Sequence, residues 1–285
     1  MCATCGCGTG TVHFERPDVS QLHLANQRQP VHEHFPKQKT IVEVERDILE
    51  KNNRLAERLK GFFEARNMFV LNLVSAPGSG KTTLLEKTLQ ALNGTVACAV
   101  IEGDQQTTND ADRIKKTNTP VVQINTGKGC HLDAEMIYNS LKILEPVNNS
   151  ILFIENVGNL VCPAMFDLGE NKRVIIISVT EGDDKPAKYP DMFQSADLCI
   201  INKTDLLPYV NFDMESCKVY ARKVNPAIKF IELSATTGTG LTDWLTWLRS
   251  PANYHTTIQD NNTYLANRSS GNIVNMVTDN MHAIL

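Results

Sequence analysis

The chain has 285 residues and a formal net charge of −4, with 42% hydrophobic and 21% charged residues. Such a composition supports a packed core and leaves no basic surplus for nucleic acid or an anionic membrane surface. No apolar run reaches the ~18 residues of a membrane span, and the opening MCATCGCGTG lacks the basic and apolar regions of a secretory signal, so a cytoplasmic protein is expected.

Residues 1–40 show no helical or strand periodicity and carry Pro17, Pro30 and Pro36 among scattered Gln, Asn and His. They are expected to form a flexible arm. Three of the eight cysteines and four of the seven histidines lie in it. Eight cysteines are too few to staple a chain this long, so in a reducing compartment they read as metal or redox groups. Over 41–66, Val44, Ile48, Leu55, Leu59 and Phe62 recur with charged residues between them, the pattern of an amphipathic helix. Seven short β-rich runs follow, at 69–74, 96–101, 121–124, 151–154, 174–179, 198–201 and 228–233. Helix-like segments separate them, and the periodic stretch 241–248 closes the series. The alternation predicts one α/β domain over 67–250, doubly wound around a mostly parallel sheet of about seven strands. Residues 251–285, rich in Asn, Thr and Ser, are expected to be a disordered or loosely packed tail.

Between the run 69–74 and the helical stretch 84–92 lies Ser75-Ala76-Pro77-Gly78-Ser79-Gly80-Lys81-Thr82-Thr83. A glycine loop ending in Lys-Thr, placed between strand and helix, is the context of a P-loop. Its backbone N–H groups turn inward on phosphate oxygens and the helix N-terminus adds partial positive charge. Lys81 is expected to bridge the β- and γ-phosphates, and Thr82 to hold Mg²⁺. The first position is Ser75 where glycine is usual, so the backbone there must suit a residue with a Cβ. After the run 198–201 comes Asn202-Lys203-Thr204-Asp205. Asp205 can accept from the guanine N1–H and amino group, which adenine cannot supply, and an acceptor left unpaired discriminates strongly. The loop Ser234-Ala235-Thr236 is expected to give a backbone N–H to the guanine oxygen, making the nucleotide GTP. Acidic residues close two further strands, in Glu102-Gly103-Asp104 and at Glu155. At the carboxyl ends of strands, Asp104 and Glu155 can reach Mg²⁺ or its waters. No general base or arginine finger is evident in these motifs, so hydrolysis is expected to be slow.

Two sets of soft ligands stand out. Cys2, Cys5 and Cys7 place three thiols within six residues, with Gly6 as the bend. Thiolates select Ni²⁺, Zn²⁺ or Cu⁺ over Mg²⁺ and Ca²⁺, and three sulfurs plus an amino-terminal nitrogen suit square-planar Ni²⁺. A redox Cys-x-x-Cys pair belongs at a strand–helix junction instead. The second set is Cys130-His131, after Gly127-Lys128-Gly129, with Cys162 four residues beyond Gly158. It leaves nickel and zinc open, and an unfilled position for a partner's ligand. Cys98 and Cys199 fall in or beside the expected strands and Cys217 in an expected helix, and all three are expected to be core residues.

Taken together, CATCGCG, SAPGSGKTT, IEGDQQTTNDADRI, NTGKGCHLDAEM, FIENVGNLVCPA, TEGDDKPAKYP, NKTDLLP and SATTGTG resemble the HypB family of nickel-incorporation GTPases in nickel–iron hydrogenase maturation. The resemblance covers residues 1–8 and about 67–250. It implies a dimerising P-loop GTPase in which GTP favours the homodimer, a tight nickel site at Cys2, Cys5 and Cys7, and a weaker nickel or zinc site at Cys130, His131 and Cys162. The partners it implies are a HypA-type accessory protein, a SlyD-type peptidyl-prolyl isomerase and the hydrogenase large subunit. The arm lacks the dense histidine tract of some members, which argues against bulk storage. The function expected is therefore GTP-timed nickel delivery into a hydrogenase precursor. A buffering or sensing protein regulated by GTP is the alternative, but storage asks for many equivalent ligands rather than six in two distinct sets.

Overall fold

A computed structural model describes residues 41–105, 109–127 and 129–250. The arm 1–40, with Cys2, Cys5 and Cys7, and the stretch 251–285 lie outside the described residues. The chain divides into two units, 1–51 and 52–285. Helix α1 (Ile41–Ala65) begins in the first and ends in the second. Within the second unit its buried stripe is Ala56, Leu59 and Phe63, with Leu55 and Phe62 half-buried beside it.

The elements then alternate as β1 (Phe69–Ser75), α2 (Lys81–Leu92), β2 (Ala97–Asp104), α3 (Asn109–Lys115), β3 (Val121–Asn125), α4 (Ala134–Leu144) and β4 (Ser150–Glu155). A 3-10 turn, Cys162–Met165, precedes β5 (Lys172–Ser178), α5 (Lys185–Lys188), α6 (Pro190–Gln194) and β6 (Leu198–Asn202). A second 3-10 turn, Thr204–Tyr209, leads to α7 (Met214–Val224), β7 (Lys229–Glu232) and α8 (Leu241–Leu248). The strands form one sheet in the order β3-β2-β4-β1-β5-β6-β7, and every pairing is parallel.

A parallel sheet needs crossover helices on its faces, so its central strands are buried on both sides. Every residue of β1, β4 and β6 is buried. On one face Leu71 and Leu73 pack with Leu84, Leu85, Leu89 and Leu92 of α2 and with Trp244 and Leu248 of α8. Trp244 satisfies its indole N–H on Thr88 Oγ1, 2.8 Å away in the core. On the other face Val74, Ile175 and Ile177 pack with Met192 and Phe193 of α6 and Cys217 and Ala221 of α7. The expected doubly wound α/β fold is thus present, with all strands rather than most of them parallel. The chain leaves β1 toward β2 on one side and later enters β5 on the other. Such reversals open a crevice at the carboxyl edge, where ligands of open α/β sheets sit.

Candidate functional site

The phosphate loop grows out of β1. Ser75 is the strand's last residue, with no positive φ, so the side chain at the first motif position costs no backbone strain. The turn is made by Gly78 and Gly80, at φ 77° and 92°. Gly80 caps α2 without a side-chain hydrogen bond, leaving the first N–H groups of the helix for an anion. Ser75 through Thr83 line a cavity of about 520 Å³ together with Glu102, Asp104, Arg113, Gly158 and Lys203, within the size range of small-ligand pockets.

Lys81 and Thr82 meet on one carboxylate. Lys81 Nζ lies 2.9 Å from Glu155 Oε1, and Thr82 Oγ1 donates to the same oxygen at 2.6 Å. Register brings a second acid beside it, because Glu102 on β2 pairs directly with Glu155 on β4. Both residues are buried, and Glu102 Oε2 and Glu155 Oε2 have no hydrogen-bond partner among the described residues. Burial, reinforced by the Glu155 carboxylate and opposed by Lys81, pushes the Glu102 carboxyl up to about 8. Two unsatisfied buried carboxylate oxygens near a threonine hydroxyl fit a small hard cation such as Mg²⁺. The sequence had pointed to Asp104 on this strand. Asp104 does line the cavity, and its Oδ1 accepts from the Gln105 N–H at 2.7 Å. Glu102 is the acid placed against Glu155, since β2 runs three residues past the expected end, pairing Glu102 to Asp104 with Gln123 to Asn125 of β3.

The two loops expected to read the base are tied to the phosphate loop. Asn202 Nδ2 donates to Ser79 O at 2.8 Å, and Lys203 Nζ donates to Gly78 O at 2.7 Å. A Cβ on Gly80 would sit 2.5 Å from Asn202 Nδ2, so only glycine permits this approach. Asn202 Oδ1 accepts from the N–H groups of Lys203 (2.8 Å) and Ala235 (3.0 Å). Of the loop expected to offer a backbone N–H to the guanine oxygen, the Ala235 N–H is engaged inside the protein. Ser234 is buried, its hydroxyl oxygen accepting from the Thr237 N–H. Asp205 is exposed at the start of its 3-10 turn. Sequence reasoning missed Arg113, whose guanidinium donates to Thr83 Oγ1 at 3.0 Å and to Glu86 Oε2 at 2.5 Å. No spacing signal marks it; packing of α3 on α2 brings it there.

The second set of ligands assembles as a cluster. Cys130 and His131 leave β3, and Cys162 opens the turn after β4. Because β3 lies only one strand away from β4, across β2, residues far apart in sequence meet. Cys130 Sγ lies 2.9 Å from Cys162 Sγ and 3.9 Å from His131 Nδ1, and the three ligand atoms fall within 4.8 Å of one another. All three residues are half-buried and neither cysteine is in a disulfide. His131 stacks on Phe166, ring centroids 3.9 Å apart at 22°. Burial lowers its pKa, favouring the neutral imidazole that binds metals. Two thiols and one imidazole suit nickel or zinc far better than magnesium. Cys199 and Cys217 are buried as expected, whereas Cys98 is half-buried at the rim of its apolar cluster. Burial pushes the Cys98 and Cys217 thiols up to about 12, which keeps them protonated and inert.

Residues 69–232 match the CobW/HypB/UreG nucleotide-binding domain. The hydrogenase maturation factor HypB of Escherichia coli is 51% identical over an alignment of 286 residues, which spans 88% of this chain and 99% of that relative. A crystal structure of HypB from Archaeoglobus fulgidus superposes with a TM-score of 0.66 at 42% identity, covering 70% of this chain and 98% of that one. A crystal structure of HypB from Helicobacter pylori in complex with nickel does so with a TM-score of 0.65 at 38% identity, covering 75% of this chain and 96% of that one.

Proposed function

The chain belongs to the CobW/HypB/UreG family and within it to the HypB hydrogenase maturation factors, and on that footing we propose that it is a GTP-hydrolysing nickel metallochaperone whose cargo enters the precursor of a hydrogenase large subunit. One observation carries the reading. The segment 155–162 begins at the carboxylate that holds Lys81 and Thr82 and ends at a thiol of the Cys130–His131–Cys162 cluster. Nucleotide chemistry and metal chemistry are thereby joined by seven peptide bonds.

In this reading Lys81 turns from Glu155 to the β- and γ-phosphates. Thr82, Glu102 and Glu155 hold Mg²⁺, with Asp104 at the cavity wall. Bound magnesium supplies positive charge against the phosphates. Gly78, Ser79, Gly80, Thr83 and the first turn of α2 direct N–H groups at the phosphate oxygens. Asn202 and Lys203 brace that loop, and Asp205 selects guanine beside the Ser234–Ala235 loop. With positioning and charge as its means, hydrolysis is slow. Cys130, His131 and Cys162 hold nickel or zinc and leave one position for a donor from a second subunit, consistent with a GTP-dependent homodimer. Cys2, Cys5 and Cys7 form the tight nickel site. The HypA-type protein, the SlyD-type isomerase and the large subunit, carried over from the family resemblance, are the partners in the cytoplasm.

The test loads the purified full chain with nickel and measures transfer to a hydrogenase large-subunit precursor with GTP, GDP or a non-hydrolysable GTP analogue. Transfer that depends on which nucleotide is bound supports delivery. Equal transfer in all three would refute it and leave a nickel buffer.

A further inference from the structure

Beyond Glu155 the chain leaves the sheet and passes between the nucleotide cavity and the metal cluster, presenting some of its residues to each. Toward the cavity, Glu155 accepts from Lys81 and Thr82. Gly158 comes so close to the phosphate loop that a Cβ there would lie 3.2 Å from Pro77 Cγ. Toward the cluster, Asn156 Oδ1 accepts from the N–H of Leu132, the residue after His131, at 3.3 Å. Asn159 Nδ2 donates to the carbonyl of Cys130 at 3.1 Å, and Cys162 is itself a candidate ligand. Residues 155 and 158 thus touch the phosphate loop, 156 and 159 touch the backbone of the loop that carries Cys130 and His131, and 162 belongs to the cluster.

Asn156 is held firmly on its other sides. Asn156 N–H donates to Leu73 O on β1 at 3.0 Å, and its Nδ2 donates to Asn72 Oδ1 at 3.2 Å. Asn72 Nδ2 in turn donates to Glu170 Oε1, which also accepts from Arg173. The Arg173 guanidinium donates to the carbonyls of Ala164 (3.2 Å) and Phe166 (2.8 Å). Those carbonyls belong to the stretch that carries Cys162 and the ring stacked on His131. A chain of hydrogen bonds therefore runs from the peptide next to Glu155 to the backbone just after His131 and to the stretch just after Cys162. Asn72 and Asn156 are almost wholly buried, and a buried polar network of this kind is rigid when every member is paired. Rigid links with two discrete arrangements are what carry coupling between sites.

We propose that Asn156 and Asn159 are the positioning residues that transmit nucleotide state to the metal cluster. When Glu155 and Gly158 shift against the phosphate loop, Asn156 moves the backbone after His131 and Asn159 moves the carbonyl of Cys130. The geometry of both ligands relative to Cys162 then changes together. The inference rests on the reading above, that the cluster binds nickel in a nucleotide-dependent way.

The test uses the full chain with Cys2, Cys5 and Cys7 changed to Ala, so that nickel reports on the inner cluster alone. Nickel affinity is measured with GDP and with a non-hydrolysable GTP analogue. Asn156→Ala would unpair Asn72 and the Leu132 N–H in the core, so half-buried Asn159 carries the test. Asn159→Ala removes both of its hydrogen bonds. Asn159→Asp keeps the acceptor for the Val161 N–H, 3.0 Å away, and loses only the donor to Cys130; its added charge acts on both nucleotide states. The expected parent ratio of affinities is roughly 5-fold or more, the lower range of allosteric coupling. Both Asn159 variants should still bind nickel, with ratios within about 2-fold of unity. A parent ratio that survives both substitutions overturns the inference and leaves the proposed function standing. Loss of nickel binding in Asn159→Ala also overturns it, since Asn159 would then merely support the ligands. A parent that binds no nickel, or binds it equally in both states, overturns the inference and the nucleotide-coupled reading together.

Discussion

Replacing Glu102 by Gln removes a buried charge with almost no change in shape, and the structure sets the size of the effect. The Glu102 carboxyl is pushed from an ordinary value of 4.5 to about 8, first by burial and then by Glu155. Between those values the folded protein keeps a proton that the unfolded chain has lost. The contribution to stability is therefore complete below the unfolded value and declines as pH rises through the folded one. At about 1.4 kcal/mol per unit, the decline between about pH 6 and about pH 8 is roughly 2 kcal/mol. For a domain of this size that is roughly 4–8 °C in Tm. The assay is thermal unfolding by circular dichroism at the two pH values, on protein free of nucleotide and divalent metal. The parent should lose this amount of Tm on going to the higher pH. Glu102→Gln should lose little and be the more stable of the two at about pH 8. Equal pH dependence in parent and variant would show that Glu102 titrates normally and that its burial against Glu155 has been misjudged.

Lys81→Ala should lower GTP turnover by roughly 100-fold or more, as loss of a charge-stabilising donor does, while far-UV circular dichroism stays unchanged; phosphate release measures the first. Asp205→Asn should let xanthosine triphosphate compete with GTP, because Asn offers an N–H where xanthine carries an oxygen, and undiminished preference for GTP in competition binding would sink the guanine assignment. Gly80→Ala should weaken nucleotide binding and lower Tm together, since the new methyl displaces Asn202 from Ser79; isothermal titration with GDP and a thermal melt read the two effects. Changing Cys2, Cys5 and Cys7 to Ala together should abolish tight nickel binding in equilibrium dialysis and leave GTPase activity in place.

The alternation of β-rich runs with helical segments was legible because strand and helix periods are local properties of the chain, repeating every two or 3.6 residues. Each of the seven expected strands is present, and the loop 75–83 could be read as a phosphate cradle from its flanks alone. Candidate metal-binding side chains could be picked out for the same reason, since Cys130 and His131 are adjacent. What no local pattern contains is which strands become neighbours and in what register. The order β3-β2-β4-β1 brings Cys162 to within 2.9 Å of Cys130 across 32 residues of sequence. Register alone puts Glu102, rather than Asp104, opposite Glu155. The engagement of the Ala235 N–H by Asn202 and the grip of Asn156 and Asn159 on the Cys130 loop are likewise products of packing. Side chains that act on backbone groups of a distant loop have no periodicity and no composition to reveal them, so their roles emerge only when the sheet has closed the distance.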